Sequence, residues 1–182
     1  MKRHELQHFV DINMSKTLTD ADYHLLGDGI ASLTEEFNAE EETEQWINQE
    51  NGTTDIKSYT PSIPVEMQDI DQDDTDLVDW FNNLIDTLPT GSKAVSSYVR
   101  VRIKGSGPSY PAVQRKCAIS VGSTGGDAGA NVTNSITIGG RGDGIKGTFN
   151  VETGKFTAGG AAASSLEVKS GTAKSSSKSN LS

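Results

Sequence analysis

Thr75-Asp-Leu-Val-Asp-Trp-Phe-Asn-Asn-Leu-Ile-Asp-Thr-Leu-Pro-Thr-Gly91 and, soon after it, Val95-Ser-Ser-Tyr-Val-Arg-Val-Arg-Ile-Lys104 decide the fold class, because the hydrophobic period changes between them. In the first segment Leu77, Trp80, Phe81, Leu84, Ile85 and Leu88 recur at three- and four-residue steps, which gathers them on one stripe of an α-helix. Asp74 or Thr75 is placed to cap its start, Asp76 and Asp79 suit the positive helix end, and Pro89 with Gly91 stops it. The stripe needs a cover, so Leu77, Trp80, Phe81, Leu84 and Leu88 are expected to anchor the helix on a sheet. In the second segment the period is two. Val95, Val99, Val101 and Ile103 point one way and Arg100, Arg102 and Lys104 the other, the pattern of a half-buried strand with a basic outer face.

Working outward, the same alternation returns in Val113, Cys117, Ile119 and Val121, and again in Val132, Ile136 and Ile138. The segments 145–151 and 155–158 flank Glu152-Thr-Gly154, a link that suits a hairpin. In the N-terminal half, strands are expected near 9–13, 23–26, 32–37, 42–47 and 55–64. Strands on both sides of a single helix predict a mainly β (α+β) fold: an antiparallel β-sandwich or barrel of two packed sheets with one flanking amphipathic helix. At 182 residues the chain suits one domain. That domain is expected over 1–157. The 25 residues 158–182 hold eight Ser, five Ala and three Gly and too few aliphatics to offset their ordering entropy, so they read as a flexible Ser/Ala/Gly/Lys-rich arm, ordered by a neighbour.

The formal charge of −9 is divided unevenly: residues 1–91 carry −17 and residues 92–182 carry +8. An acidic surface repels phosphate, which argues against a sequence-reading nucleic-acid binder and suits a surface that DNA must pass without sticking. Opposite charges on the two halves would help copies meet head to tail. Cys117 is the single cysteine, so no intrachain disulfide or thiolate zinc site is expected. Lys2 and Arg3 are not followed by the apolar run of a secretory signal, and no stretch approaches a membrane span. The expectation is a cytosolic protein with no membrane partner.

Candidate chemistry is sparse. Asp69-Ile-Asp71-Gln-Asp73 has the alternate carboxylates of a calcium loop, but Asp74 stands where the turn needs glycine and Trp80 where a bidentate carboxylate belongs. The Gly-rich stretches 122–129 and 139–147 lack the ending of a phosphate-binding loop and read as flexible β-connections, with Arg141-Gly-Asp143 as a polar loop tip. His4, His8 and His24 fall in no metal-ligating spacing, and no nucleophile–base set is evident. No catalytic residue, metal or cofactor is expected. Glu40, Glu42 and Glu44 would share one face of a strand as a charged stripe.

Leu26-Gly-Asp-Gly-Ile-Ala-Ser-Leu33, Phe37-Asn38, Glu42-Thr-Glu-Gln-Trp-Ile-Asn48 and Asn51-Gly-Thr-Thr-Asp-Ile-Lys-Ser-Tyr59 with Thr60-Pro-Ser-Ile-Pro64 follow one another in an order that resembles the opening of major tail tube proteins of siphophages infecting Gram-positive bacteria. Gly147-Thr-Phe-Asn-Val151 and Lys155-Phe-Thr157 resemble the closing hairpin of that family. The resemblance implies a non-enzymatic structural protein of the virion tail, whose subunits close into hexameric rings that stack into a conduit for DNA ejection. It implies as partners further copies of the chain, a tape measure protein, tail terminator and baseplate proteins, and genomic DNA in non-specific passage. In such a tube the stripe Glu40, Glu42 and Glu44 would face the lumen and keep DNA from adhering, or else lie outside and aid solubility. The alternatives are another tail or secretion-tube assembly protein, such as a terminator or connector, and a β-sandwich module that binds a ligand through its glycine-rich loops.

Overall fold

The computed structural model describes residues 1–15, 17, 20–68 and 74–159. The calcium-like stretch 69–73 and the C-terminal arm from residue 160 lie outside the described residues. The strands are β1 (Leu6–Asp11), β2 (Tyr23–Leu25), β3 (Ala39–Glu44), β4 (Thr53–Tyr59), β5 (Ser62–Gln68), β6 (Val95–Arg102), β7 (Ser109–Gly125), β8 (Thr133–Asn150) and β9 (Lys155–Ala158), with one α-helix, α1 (Thr75–Thr87). Seven strands form an antiparallel sheet in the order β2-β1-β6-β7-β8-β5, and β9 pairs with the far end of β8. The second sheet is the two-stranded β3–β4 hairpin. The fold is mainly β and antiparallel, with a single α-helix among the described residues. No helix among them is long and apolar enough to cross a membrane.

Asp74 caps α1: its carboxylate accepts the Leu77 amide at 3.1 Å and meets His24 Nδ1 at 2.7 Å, so one side chain both starts the helix and ties it to β2. Burial lowers the His24 pKa, but its bond to Asp74 and the charges of Asp74 and Asp22 outweigh that and raise it above 6.5. Leu77, Trp80, Phe81 and Leu84 are buried against Val10, Tyr98, Cys117, Ile119, Ile136 and Ile138 from the facing sheet. Trp80 and Phe81 meet edge to face, their ring centroids 5.3 Å apart. Leu88, expected on the same stripe, does not join them. The helix ends one residue earlier, and Leu88 becomes its left-handed C-terminal cap at φ 44°, which turns the side chain away and leaves it 62% exposed.

The opposite face of the sheet holds a second core. Phe9, Tyr23, Val99, Val101, Ala112 and Phe149 are buried there, with Phe156 of β9 packed against them. The Phe9 and Phe149 centroids lie 4.6 Å apart. β6 therefore has a core on each side, rather than the solvated basic face that its alternation suggests. Of the three cations expected on that face, Arg102 and Lys104 are exposed, but Arg100 is drawn into the interior by an ion pair.

Two expected boundaries dissolve. The segment 139–147 is not a connection, because β8 runs through it as one strand of 18 residues paired to β7. Arg141-Gly-Asp143 sits at a register shift in that ladder, not at a loop tip, and Gly142 takes the φ of +69° that the irregularity requires. Gly147 has a different role. A Cβ there would stand 2.2 Å from the Thr157 carbonyl and 2.7 Å from the Phe156 ring, so β9 closes on β8 only over a bare backbone.

Candidate functional site

The β3–β4 hairpin is the least explained surface in the subunit. Every residue of both strands is exposed, on both faces. Two-stranded hairpins with nothing packed on them are marginal in water, so this one gains little from its own side chains. Between Glu36 and Tyr59 the sequence holds seven carboxylates and one lysine. Its 45–52 loop presents Trp46, 61% exposed, beside a fully exposed Ile47.

The ladder register gives the hairpin two unlike faces, since cross-strand partners share a side. Glu40, Glu42 and Glu44 pair with Ser58, Asp55 and Thr53 on one side. There Ser58 donates to Glu40 at 2.8 Å, and Lys57 meets Glu42 at 2.5 Å. Ala39, Glu41 and Thr43 pair with Tyr59, Ile56 and Thr54 on the other, leaving Ile56 and Tyr59 exposed. The expected stripe of three glutamates is thus one side of a hairpin whose other side carries apolar groups. Nothing in the sequence period announces that second side, because a register shift between Glu40 and Glu41 changes the phase of β4.

At the root of the hairpin lies a buried ionic cluster that sequence reasoning missed. Glu35, its side chain 6% exposed, accepts from the Tyr98 hydroxyl at 2.8 Å and from Arg100 Nη1 at 2.6 Å. His8 Nε2 approaches to 3.6 Å, too far for a formed hydrogen bond. Burial alone would raise the Glu35 carboxyl, but His8, the Tyr98 hydroxyl and the Arg100 charge prevail and hold it at about 2. Burial and the Glu35 charge in turn push the Tyr98 hydroxyl well above its usual range. Arg100 also covers Phe37, its guanidinium carbon 5.4 Å from the ring centroid. The available signal was the pair Tyr98 and Arg100 at i and i+2 on a central strand. Their shared face needs an acid once both sides of the strand are covered.

Other polar features serve the fold. Asp11, fully buried, accepts the amides of Asn13, Ser15 and Asp22 at 3.1, 2.8 and 2.9 Å and so shapes the loop after β1. Burial pushes the Cys117 thiol up to about 12. Among the described residues no group of three or more His, Cys, Asp or Glu side chains is arranged to hold a metal ion. The three histidines are not brought together: His8 joins the Glu35 cluster, His24 the helix cap, and His4 an exposed turn.

No family model matches the chain, and no curated protein matches it in sequence. Solved structures do match. The chain superposes on one from the tail of an empty gene transfer agent particle, refined helically with C6 symmetry, with a TM-score of 0.54 at 13% identity over 87% of this chain and 99% of that one. The two chains share a fold. A chain in the virion of a native gene transfer agent particle gives 0.51, again at 13% identity over 87% and 99%. The likeness is to particles of this kind and does not single out the siphophage family that the sequence resembles.

Proposed function

We propose that the chain is the major tube subunit of a phage-like tail, closing into six-membered rings that stack into a conduit for DNA. The observation that carries the reading is the fold shared over 99% of the length of a chain from a tail with C6 symmetry. The two-sided hairpin and the division of charge support it. The acidic hairpin complements exposed cations elsewhere on the subunit, among them Arg102, Lys104, Lys116, Lys146 and Lys155, so that one copy offers what the next one attracts. In this arrangement Ile56, Tyr59 and the Trp46-Ile47 tip are covered by a neighbouring copy, while Glu40, Glu42 and Glu44 turn to the lumen as a negative band that DNA slides past. A tape measure protein, a terminator and a baseplate are the partners that such a tube requires.

Sedimentation and negative-stain imaging of the purified chain across concentration and salt test the proposal. Rings or tubes are the expected result. A protein that stays monomeric under all conditions and is scarce in particles would refute it.

A further inference from the structure

We infer that Glu35 is the positioning residue that fixes the β3–β4 hairpin on the body of the subunit. The inference deepens the tube reading, and its consequence for assembly rests on that reading, while the anchoring itself does not.

The hairpin is longer than its regular ladder. Below the Ala39–Tyr59 pair, the Thr60 amide donates to the Asn38 carbonyl at 3.2 Å, and Glu36 and Ser62 exchange backbone bonds of 2.8 Å in both directions. Leu33 then bridges to Val65. The Thr60–Asn38 contact binds the two arms to each other, and the contacts to Ser62 and Val65 bind the first arm to the edge strand β5. They leave open what holds the pair to the centre of the sheet.

The second arm solves this covalently, since it runs through Thr60 and Pro61 into β5, which is paired along its length with β8. The first arm is bridged to the same strand β5 at Glu36 and Leu33 and runs back to β2, and it reaches the central strand β6 by hydrogen bonds at Glu35. Among the described residues, no other hydrogen bond joins 34–59 to β1, β6, β7 or β8. A unit attached to the edge strand β5 alone can pivot about it. Attached to β6 as well it cannot.

The chemistry of the cluster suits a rigid joint. Arg100 supplies a charged donor and Tyr98 a neutral one, to different oxygens of a single carboxylate, which fixes its plane as well as its position. Tyr98 and Arg100 stand on the central strand β6, where the neighbouring residues are buried on both faces, so the donors themselves do not move. Phe37, two residues further along the first arm, lies over the same Arg100 and carries the constraint outward. An ion pair of this kind is a costly way to gain stability but an effective way to specify one geometry.

Hydrogen exchange of the free subunit, with the full-length chain, separates anchoring from general stability. In Glu35→Ala the amides of 36–59 should exchange at least tenfold faster, and by a larger factor than those of β6 and β7. Tyr98→Phe, which removes one donor only, keeps the test available if the alanine variant fails to fold, and should accelerate the same amides by about threefold. Unchanged protection of 36–59, or acceleration spread evenly over all strands, would overturn the inference. In the assembly arm, the critical concentration for rings or tubes should rise at least tenfold in Glu35→Ala and less in Glu35→Gln, which keeps the shape and one of the two acceptor oxygens. Assembly of Glu35→Ala at the wild-type concentration would overturn the positioning role. If the wild type never assembles, the tube reading falls, and the exchange measurement alone decides the anchoring.

Discussion

Phe81→Ala measures how strongly α1 is held to the sheet. Phe81 is fully buried in the cluster formed with Tyr98, Ile119 and Ile138, and its ring abuts Trp80 edge to face. Withdrawing a Phe side chain of this kind from the core forfeits about 2 kcal/mol of transfer free energy. A residual cavity of about 80 Å³ adds about 2 kcal/mol at roughly 24 cal/mol per Å³. The sum, about 4 kcal/mol, lies inside the usual range for this substitution. With a urea slope of about 2 kcal/mol per M, the midpoint should fall by about 2 M. Asp79, exposed on the outer side of α1, is the control, and Asp79→Ala should stay within about 0.5 kcal/mol of wild type. Equal midpoint losses in the two variants would refute the assignment of the helix face.

The other expectations follow from single sites. Leu88→Gly should stabilise the subunit by about 1 kcal/mol, because glycine takes the left-handed cap without strain and little burial is lost; a loss in thermal melts would mean that Leu88 does anchor the helix. Glu35 falls from 4.5 when unfolded to about 2 when folded. Its stabilisation is therefore complete above pH 4.5 and lost as pH falls through about 2, and the advantage of wild type over Glu35→Gln should shrink by about 3 kcal/mol across that window in acid titrations of unfolding. Cys117 should resist alkylation at pH 8 in the native state and react within minutes in urea; rapid native labelling would contradict its place in the core. Replacing Glu40, Glu42 and Glu44 together by Gln should leave tubes intact but make them retain labelled DNA at low ionic strength, where screening is weakest. Passage equal to wild type would remove these residues from the lumen.

The helix was legible because its burial follows a simple period. The C-terminal strands were legible as strands, although the phase of β7 changes at the register shift after Gln114, which is buried where Val113 was expected to be, and Val132 stays exposed before β8. Leu77, Trp80, Phe81 and Leu84 announce a helix face at the right spacing, and the mainly β class follows from the alternations at 113–121 and 132–138. Leu88 misled because periodicity describes where a residue would lie if the helix continued, and carries no information on the cap conformation that ends it. The segment 139–147 misled because glycine is equally at home in a loop and in a strand against which another backbone packs, as at Gly147. At 55–64, a single expected strand proved to be the end of one and the start of another, turning at Thr60-Pro61. The Glu35 cluster was hidden for a deeper reason. Glu35 lies 27 residues from His8 and 63 and 65 from Tyr98 and Arg100, and only the pairing of β1 with β6 brings His8 opposite Arg100.

The position of β6 between two cores bears on how the subunit comes apart. Tyr98 faces the helix, and Val99 and Val101 face the aromatic cluster beneath Phe149, so removing this strand takes a wall from both. Neither core can open alone by peeling its own layer. The helix, the curled sheet and β9 should therefore melt together in one transition, seen alike by tryptophan fluorescence near Trp80 and by far-ultraviolet dichroism, with the β3–β4 hairpin alone free to exchange earlier. Apart from that hairpin, a subunit built this way yields as a whole or not at all.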